Sequence, residues 1–145
     1  MKRFALAFAL ALPLLFNSST SAQANPTNDD SSAVRTTVTN YIEAYYTGDA
    51  RRMGQTLHPH YLKHVLHGNI QVREKNASQM VHDVGSEPVD LPQAERTEQV
   101  TVLDVAGDIA SAKLVTPHWV DYMTLAKLDG QWKILSVVQR IEDEN

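Results

Sequence analysis

Five of the six histidines, His58, His60, His64, His67 and His82, fall within twenty-five residues of one another. Imidazole binds zinc and copper readily, so His58, His60 and His64 raise the question of a metal site. Their spacing matches no ligand motif, because His58 and His60 flank Pro59 and no cysteine or close carboxylate completes a shell. These histidines read as solvated or capping side chains, with no metal and no cofactor. His58 has a second claim: a neutral imidazole there suits a general base near neutral pH. The alternative is that it closes a helix by bonding the last carbonyls.

The run Pro117-His118-Trp119-Val120-Asp121-Tyr122 is the richest in chemistry. Strand alternation puts His118, Val120 and Tyr122 on one face and Trp119, Asp121 and Met123 on the other. If Trp119 faces an interior, Asp121 does too, and burial beside an indole raises a carboxyl's pKa. That is the state a proton-abstracting base requires. The competing reading makes Asp121 an exposed or hydrogen-bonded strand residue. A bulge at Pro117 would shift the alternation, so either face of this strand stays open as a cavity wall. Tyr45, Trp119 and Tyr122 are the candidate ligand-binding aromatics; for Tyr45, packing in the core is the alternative.

Elements must position these residues. Val34, Val38, Ile42 and Tyr45 or Tyr46 recur at spacings of three and four, which predicts a helix from Ala33. Asp29, Asp30 and Ser31 precede it, where side-chain oxygens and negative charge suit the first N–H groups. Thr47-Gly48-Asp49 stops it. A second short helix, 50–57, is closed by His58-Pro59. Strand-like segments 61–66 and 70–73 flank a turn at Gly68 and suggest a hairpin. A third helix fits 76–84, and the prolines at 88 and 92 make 86–92 a loop. Strands follow at 95–105, 109–116, 119–128 and 131–141, with Asp129-Gly130 as a hairpin turn. Helices first and a long antiparallel meander last indicate an α+β fold.

Composition bounds the function. The chain has 145 residues, 43% of them hydrophobic, and a formal net charge of −4. This is one ordinary globular domain. A net-acidic domain without a basic run is a poor match for phosphate backbones, so no nucleic-acid partner is expected. The lack of cysteine removes disulfides, thiolate zinc sites and thiol nucleophiles. Lys2-Arg3, an apolar stretch over 4–16 and the triplet Ala22-Gln23-Ala24 form the three parts of a secretory signal. The apolar stretch covers about 20 Å as a helix, too short for a hydrocarbon core of roughly 30 Å. The expected division is a signal peptide over 1–24, a flexible lead-in over 25–32, one domain over 33–141 and an acidic tail over 142–145. The product would be exported, periplasmic or secreted, with no membrane contact after cleavage.

Three segments, in order, carry a family resemblance: Gly48-Asp49, Leu57-His58-Pro59, and Asp121-Tyr122 leading into Asp129-Gly130-Gln131-Trp132-Lys133-Ile134. The chain resembles the nuclear transport factor 2-like superfamily and, within it, the lumazine-binding branch. Two positions depart from the branch's pattern and reshape any cavity: Leu57 stands where Phe is common, and Trp119-Val120 where Phe-Thr is usual. The resemblance implies a cone-shaped, curved antiparallel sheet with the N-terminal helices packed on its concave face. It also implies a cavity at the wide end, which in related members serves isomerases, dehydratases, cyclases and epoxide hydrolases, or binding alone. The expected function is binding of a small apolar or aromatic molecule. The alternative is a cofactor-independent lyase or isomerase of SnoaL or ketosteroid isomerase type, with Asp121 or His58 moving a proton. A third reading is a homodimeric interaction module using the outer sheet face.

Overall fold

The computed structural model describes residues 28–87 and 89–141. The signal-peptide segment 1–24, the start of the lead-in and the acidic tail 142–145 lie outside the described residues. Helices α1 (Asn28–Thr47), α2 (Ala50–Thr56) and α3 (Ala77–Ser86) accompany one sheet. Its strands are β1 (Leu57–His67), β2 (Ile70–Asn76), β3 (Gln99–Ala106), β4 (Ile109–Val115), β5 (Trp119–Leu128) and β6 (Gln131–Ile141). The sheet is open, in the order β2-β1-β6-β5-β4-β3.

Helix α1 begins at Asn28, five residues before the expected start at Ala33, so part of the expected lead-in is helical. The cause is on β5 and β6. Asp30 pairs with Lys127 (2.6 Å) and accepts a hydrogen bond from Trp132 Nε1 (3.0 Å), which fastens the first turn to the sheet. Acidic side chains there also suit the helix dipole. The apolar stripe is the expected one: Val34, Val38, Tyr41 and Ile42 are buried in a single core cluster. Gly48 ends α1 with φ 68°, a left-handed conformation that an L side chain rarely adopts. Asp49 then caps α2 by accepting from the Arg52 N–H (2.9 Å).

Two further expectations need correction. His58-Pro59 does not close α2; strand β1 already starts at Leu57 and runs through both residues. The ladder from β1 to β6 is interrupted between Leu57 and Leu62, where Pro59 has no N–H to donate. The sheet is also not wholly antiparallel, since β1 lies parallel to β6 while every other pair is antiparallel. Hydrophobic periodicity identifies strands but carries no information on how a hairpin pairs with a strand about seventy residues later in the chain.

Bulges in the β1–β2, β3–β4 and β5–β6 ladders bend the sheet, and the helices cover one face. On that face lie Leu114, Met123, Leu125, Ile134 and Val137, all buried. Helix α3 is held by a reciprocal cap: Asn76 Oδ1 accepts from the Gln79 N–H (3.0 Å) and Gln79 Oε1 accepts from the Asn76 N–H (2.9 Å). This cap fixes the helix that carries Met80 into the core. Asn76→Ala is expected to lower unfolding free energy by about 1 kcal/mol. Urea denaturation checks it; an unchanged midpoint would show that the cap contributes nothing.

Candidate functional site

The register of three neighbouring strands builds the site. Val65 of β1 lies opposite Gln139 of β6, which lies opposite Asp121 of β5. Tyr61 and Lys63 precede Val65 at alternate positions on β1, so all three turn to the helix-covered face, and all three are buried. Helix α1 crosses above and contributes Tyr41 and, one turn later, Tyr45.

Beside them, with Tyr61 behind the wall, is a cavity of about 260 Å³ lined by Tyr41, Tyr45, Lys63, Arg73, Trp119 and Asp121, among others. Tyr45 and Trp119 form an edge-to-face pair with ring centroids 5.5 Å apart. His118 stacks on Trp119 and pairs with Glu95 (2.7 Å). A second hollow of about 320 Å³, running toward α3 and Leu91, shares Tyr45, Arg73, Met80 and Trp119 with the first. Lys75 and Asp83 (2.5 Å) tie β2 to α3 beside it.

Asp121 has no exposed surface. Lys63 Nζ is 3.9 Å from its Oδ1, beyond hydrogen-bond range, and donates instead to the Tyr41 hydroxyl (3.1 Å). The Tyr41 and Tyr61 hydroxyls meet at 3.4 Å. Trp119 Nε1 and Gln139 stand near enough to favour the charged carboxylate. Neither makes a hydrogen bond to it, and among the described residues both Asp121 oxygens and Trp119 Nε1 lack a hydrogen-bond partner. Buried polar groups are nearly always paired, so these unpartnered atoms call for an explanation.

Burial raises the Asp121 carboxyl above its ordinary value of 3.8, against the opposing pull of Lys63. Burial also lowers Lys63, with Asp121 opposing and the charges of Lys75 and Arg73 adding to the fall. Tyr41 is raised well above a normal phenol by burial first, then by Tyr61 and Asp121. Tyr45 is raised for the same principal reason. The site therefore keeps its phenols protonated and leaves its acid and amine nearer to each other in proton affinity than they are in water.

Of the residues singled out from the sequence, Asp121, Trp119 and Tyr45 come together at this cavity. Two do not. His58 lies in a shallow groove with Gly54, Pro59, Ala77 and His82, its Nδ1 accepting from the His60 N–H (3.1 Å). Because the chain enters β1 at Leu57, His58 is carried away from the cavity face. Tyr122 is 54% exposed on the outer face, with Lys113 Nζ 5.4 Å from its ring centroid. Trp119 begins β5 after a bend at Pro117-His118, so plain alternation holds from there and Tyr122 points away from Asp121. Lys63, Tyr61 and Gln139 were missed. Lys63 left a signal: it falls on the same parity as Tyr61 and Val65, an inward position where a lysine is out of place.

A family model described as "putative lumazine-binding" matches residues 29–139. The chain belongs to this family. Among solved structures, it is similar to an NTF2-like protein of unknown function from Shewanella baltica (16% identity, 83% of this chain and 100% of that one, TM-score 0.68). It is also similar to a ketosteroid isomerase-like protein from Erwinia carotovora (10% identity, 81% and 100%, TM-score 0.61). A third is a cystatin-like fold protein from Burkholderia xenovorans (16% identity, 82% and 96%, TM-score 0.59). At such identities these likenesses speak for the fold. No curated protein sequence matches the chain.

The buried pair makes a thermodynamic prediction. Asp121→Leu alone strands a buried amine and Lys63→Met alone a buried carboxyl; breaking such a pair costs about 3–5 kcal/mol, while removing both is near neutral or stabilising. The double variant should therefore be more stable than either single one, measured by denaturant unfolding. In Lys63→Met, Asp121 loses the charge that holds its pKa down. A carboxyl with a raised folded pKa stabilises below its unfolded value near 3.8, and that contribution is lost as pH rises through the folded value. Stability of this variant should thus be greatest in mild acid and fall toward neutrality; a flat profile would contradict the assignment.

Proposed function

We propose that the protein binds a small, flat, partly apolar molecule in this cavity. The observation that carries the reading is the pair of unpartnered groups, the Asp121 carboxyl and the Trp119 indole N–H, on the wall of a cavity edged by two aromatic rings. A wall with an unpartnered acceptor and an unpartnered donor suits a ring whose edge carries an N–H beside a carbonyl. The molecule named in the family description, lumazine, is such a bicycle, and the cavity with its adjoining hollow has room on that scale. Tyr45 and Trp119 would hold the ring, with Asp121 accepting from its N–H and Trp119 or Lys63 donating to its carbonyl.

A second reading, a lyase or isomerase of ketosteroid isomerase type, draws on the raised Asp121 carboxyl, which has the character of a proton-abstracting base. Lys63 separates the two readings: a binder uses its N–H as a donor, whereas a base must take up a proton with that amine 3.9 Å away. Export is part of the proposal and rests on the residues at 2–24. A homodimer would use the outer face, where Tyr122 and Val138 lie opposite each other and exposed.

A thermal-shift screen with lumazine, flavin-like and steroid-like compounds, followed by calorimetry of any hit, tests the binding. Asp121→Asn and Trp119→Phe should each weaken binding about tenfold or more, because a lost partner leaves a buried polar group unpaired at about 1–3 kcal/mol. Tyr122→Ala and His58→Ala should leave it unchanged. If no compound raises the melting temperature of the folded protein, the reading fails. Expression of the full chain in a bacterial host should yield a periplasmic product whose mass begins at Asn25; a cytoplasmic product retaining Met1 overturns the export proposal.

A further inference from the structure

We propose that Lys63 is a nucleophile: its amine condenses with the carbonyl group of a small aldehyde or ketone held in the cavity, forming an imine with loss of water while Asp121 carries the protons. This rests on the cavity being a small-molecule site and adds the chemical class of its occupant.

The geometry departs from that of a structural ion pair. A lysine present only to neutralise Asp121 would bond it directly; here Nζ is 3.9 Å from Oδ1 and donates instead to the Tyr41 hydroxyl. An oxygen atom about 2.8 Å from both Nζ and Oδ1 closes a triangle with that separation. A carbonyl oxygen entering from the cavity would occupy such a place, with its carbon beside the amine. Among the described residues neither Asp121 oxygen has a hydrogen-bond partner, so either can give it a proton.

The surroundings favour an uncharged amine. Lys63 is buried, which penalises the ammonium form. Lys75 stands opposite it in the β1–β2 ladder, with Arg73 nearby on the same strand. A desolvated lysine beside other cations is one of the ways in which an amine becomes a nucleophile at neutral pH. The titratable groups facing it are Tyr41 and Tyr45 from α1, Tyr61 from β1, Arg73 and Lys75 from β2 and Asp121 from β5, with His118 at the cavity wall. The other described lysines are engaged elsewhere: Lys75 with Asp83, Lys127 with Asp30, Lys133 with the Gln55 carbonyl, and Lys113 over the Tyr122 ring.

The step balances without an oxidant or reductant. The Nζ lone pair forms the C–N bond, the carbonyl π pair moves to oxygen, and that oxygen takes the Asp121 proton. The carboxylate so formed removes one N–H proton, giving the neutral carbinolamine. Asp121 then returns this proton to the hydroxyl, the C–O bond breaks, and water leaves as the nitrogen lone pair completes C=N. The product is a protonated imine facing the Asp121 carboxylate.

Reductive trapping tests this with two probes of nearly the same shape, 4-hydroxybenzaldehyde and 4-hydroxybenzyl alcohol. The full chain is incubated with the aldehyde and sodium cyanoborohydride at neutral pH, and the adduct is located by peptide mapping. The expected result is one adduct, on Lys63, formed at least tenfold faster than on any other lysine, suppressed by the alcohol, and lost in Lys63→Arg. Its rate should rise with pH to a plateau well below the ordinary lysine value of about 10.4. Mapping of the unmodified chain decides the matter even if Lys63→Arg does not fold. Adducts spread over surface lysines with Lys63 unlabelled overturn the inference. If the alcohol raises the melting temperature yet Lys63 stays unlabelled, the imine fails and the binding site stands. If neither probe binds while a compound of the thermal-shift screen does, the imine fails and the binding site stands; if no compound of either set binds, both fall.

Discussion

Burying an acid and an amine side by side is the constraint around which the inner sheet face is arranged. Positions 63 and 121 sit among Val65, Leu114 and Met123, where an aliphatic pair would pack without difficulty. Taking two charges out of water costs several kcal/mol per ion, and their attraction repays it only in close, fully hydrogen-bonded geometry. The 3.9 Å separation and the unpartnered carboxyl oxygens are far from that geometry. Stability is therefore a poor account of these two residues, and interaction with something that enters the cavity is a better one.

The same groups explain why there is a cavity at all. Tyr41, Tyr45 and Trp119 are large enough to fill the space, yet each is fixed by other demands. The Tyr41 hydroxyl is held between Lys63 and Tyr61, and the Tyr45 ring is set edge-on against Trp119. With its side chains committed, the face cannot close on itself without leaving more polar groups unpaired. A space of about 260 Å³ with both polar and apolar walls has room for several waters, whose displacement by a ligand of matching hydrogen-bond pattern is favourable.

How much of this was legible in the sequence depends on the range of the interaction responsible. Local chemistry could be read: the stripe from Val34 to Ile42, the stop at Gly48, the turn at Asp129-Gly130 and the alternation that pairs Trp119 with Asp121. What escaped was decided across the sheet. The early start of α1 depends on Lys127 and Trp132, about a hundred residues away, reaching Asp30. The course of β1 through Pro59 depends on β6 accepting a broken ladder. Lys63 became a site residue only when β1 was laid beside β6 and β6 beside β5. Family resemblance supplied the expectation of a cavity, but which residues lined it required the register.

Proton state and occupant are reciprocally linked at this site. Burial keeps the Tyr41 and Tyr45 hydroxyls protonated, so with the Trp119 N–H they are donors whose character does not change near neutral pH. Asp121 is different, because burial raises it while Lys63 opposes the rise, so its proton affinity answers to what stands beside it. An occupant that donates an N–H to the carboxyl favours the charged form; one that presents only a carbonyl oxygen favours the protonated acid, which can donate to it. By linkage, each proton state then prefers its own class of occupant by the same free energy. The buried carboxyl thus acts as the adjustable element in an otherwise fixed wall, and Lys63, whose proton affinity moves with it, is the group through which that adjustment becomes chemistry.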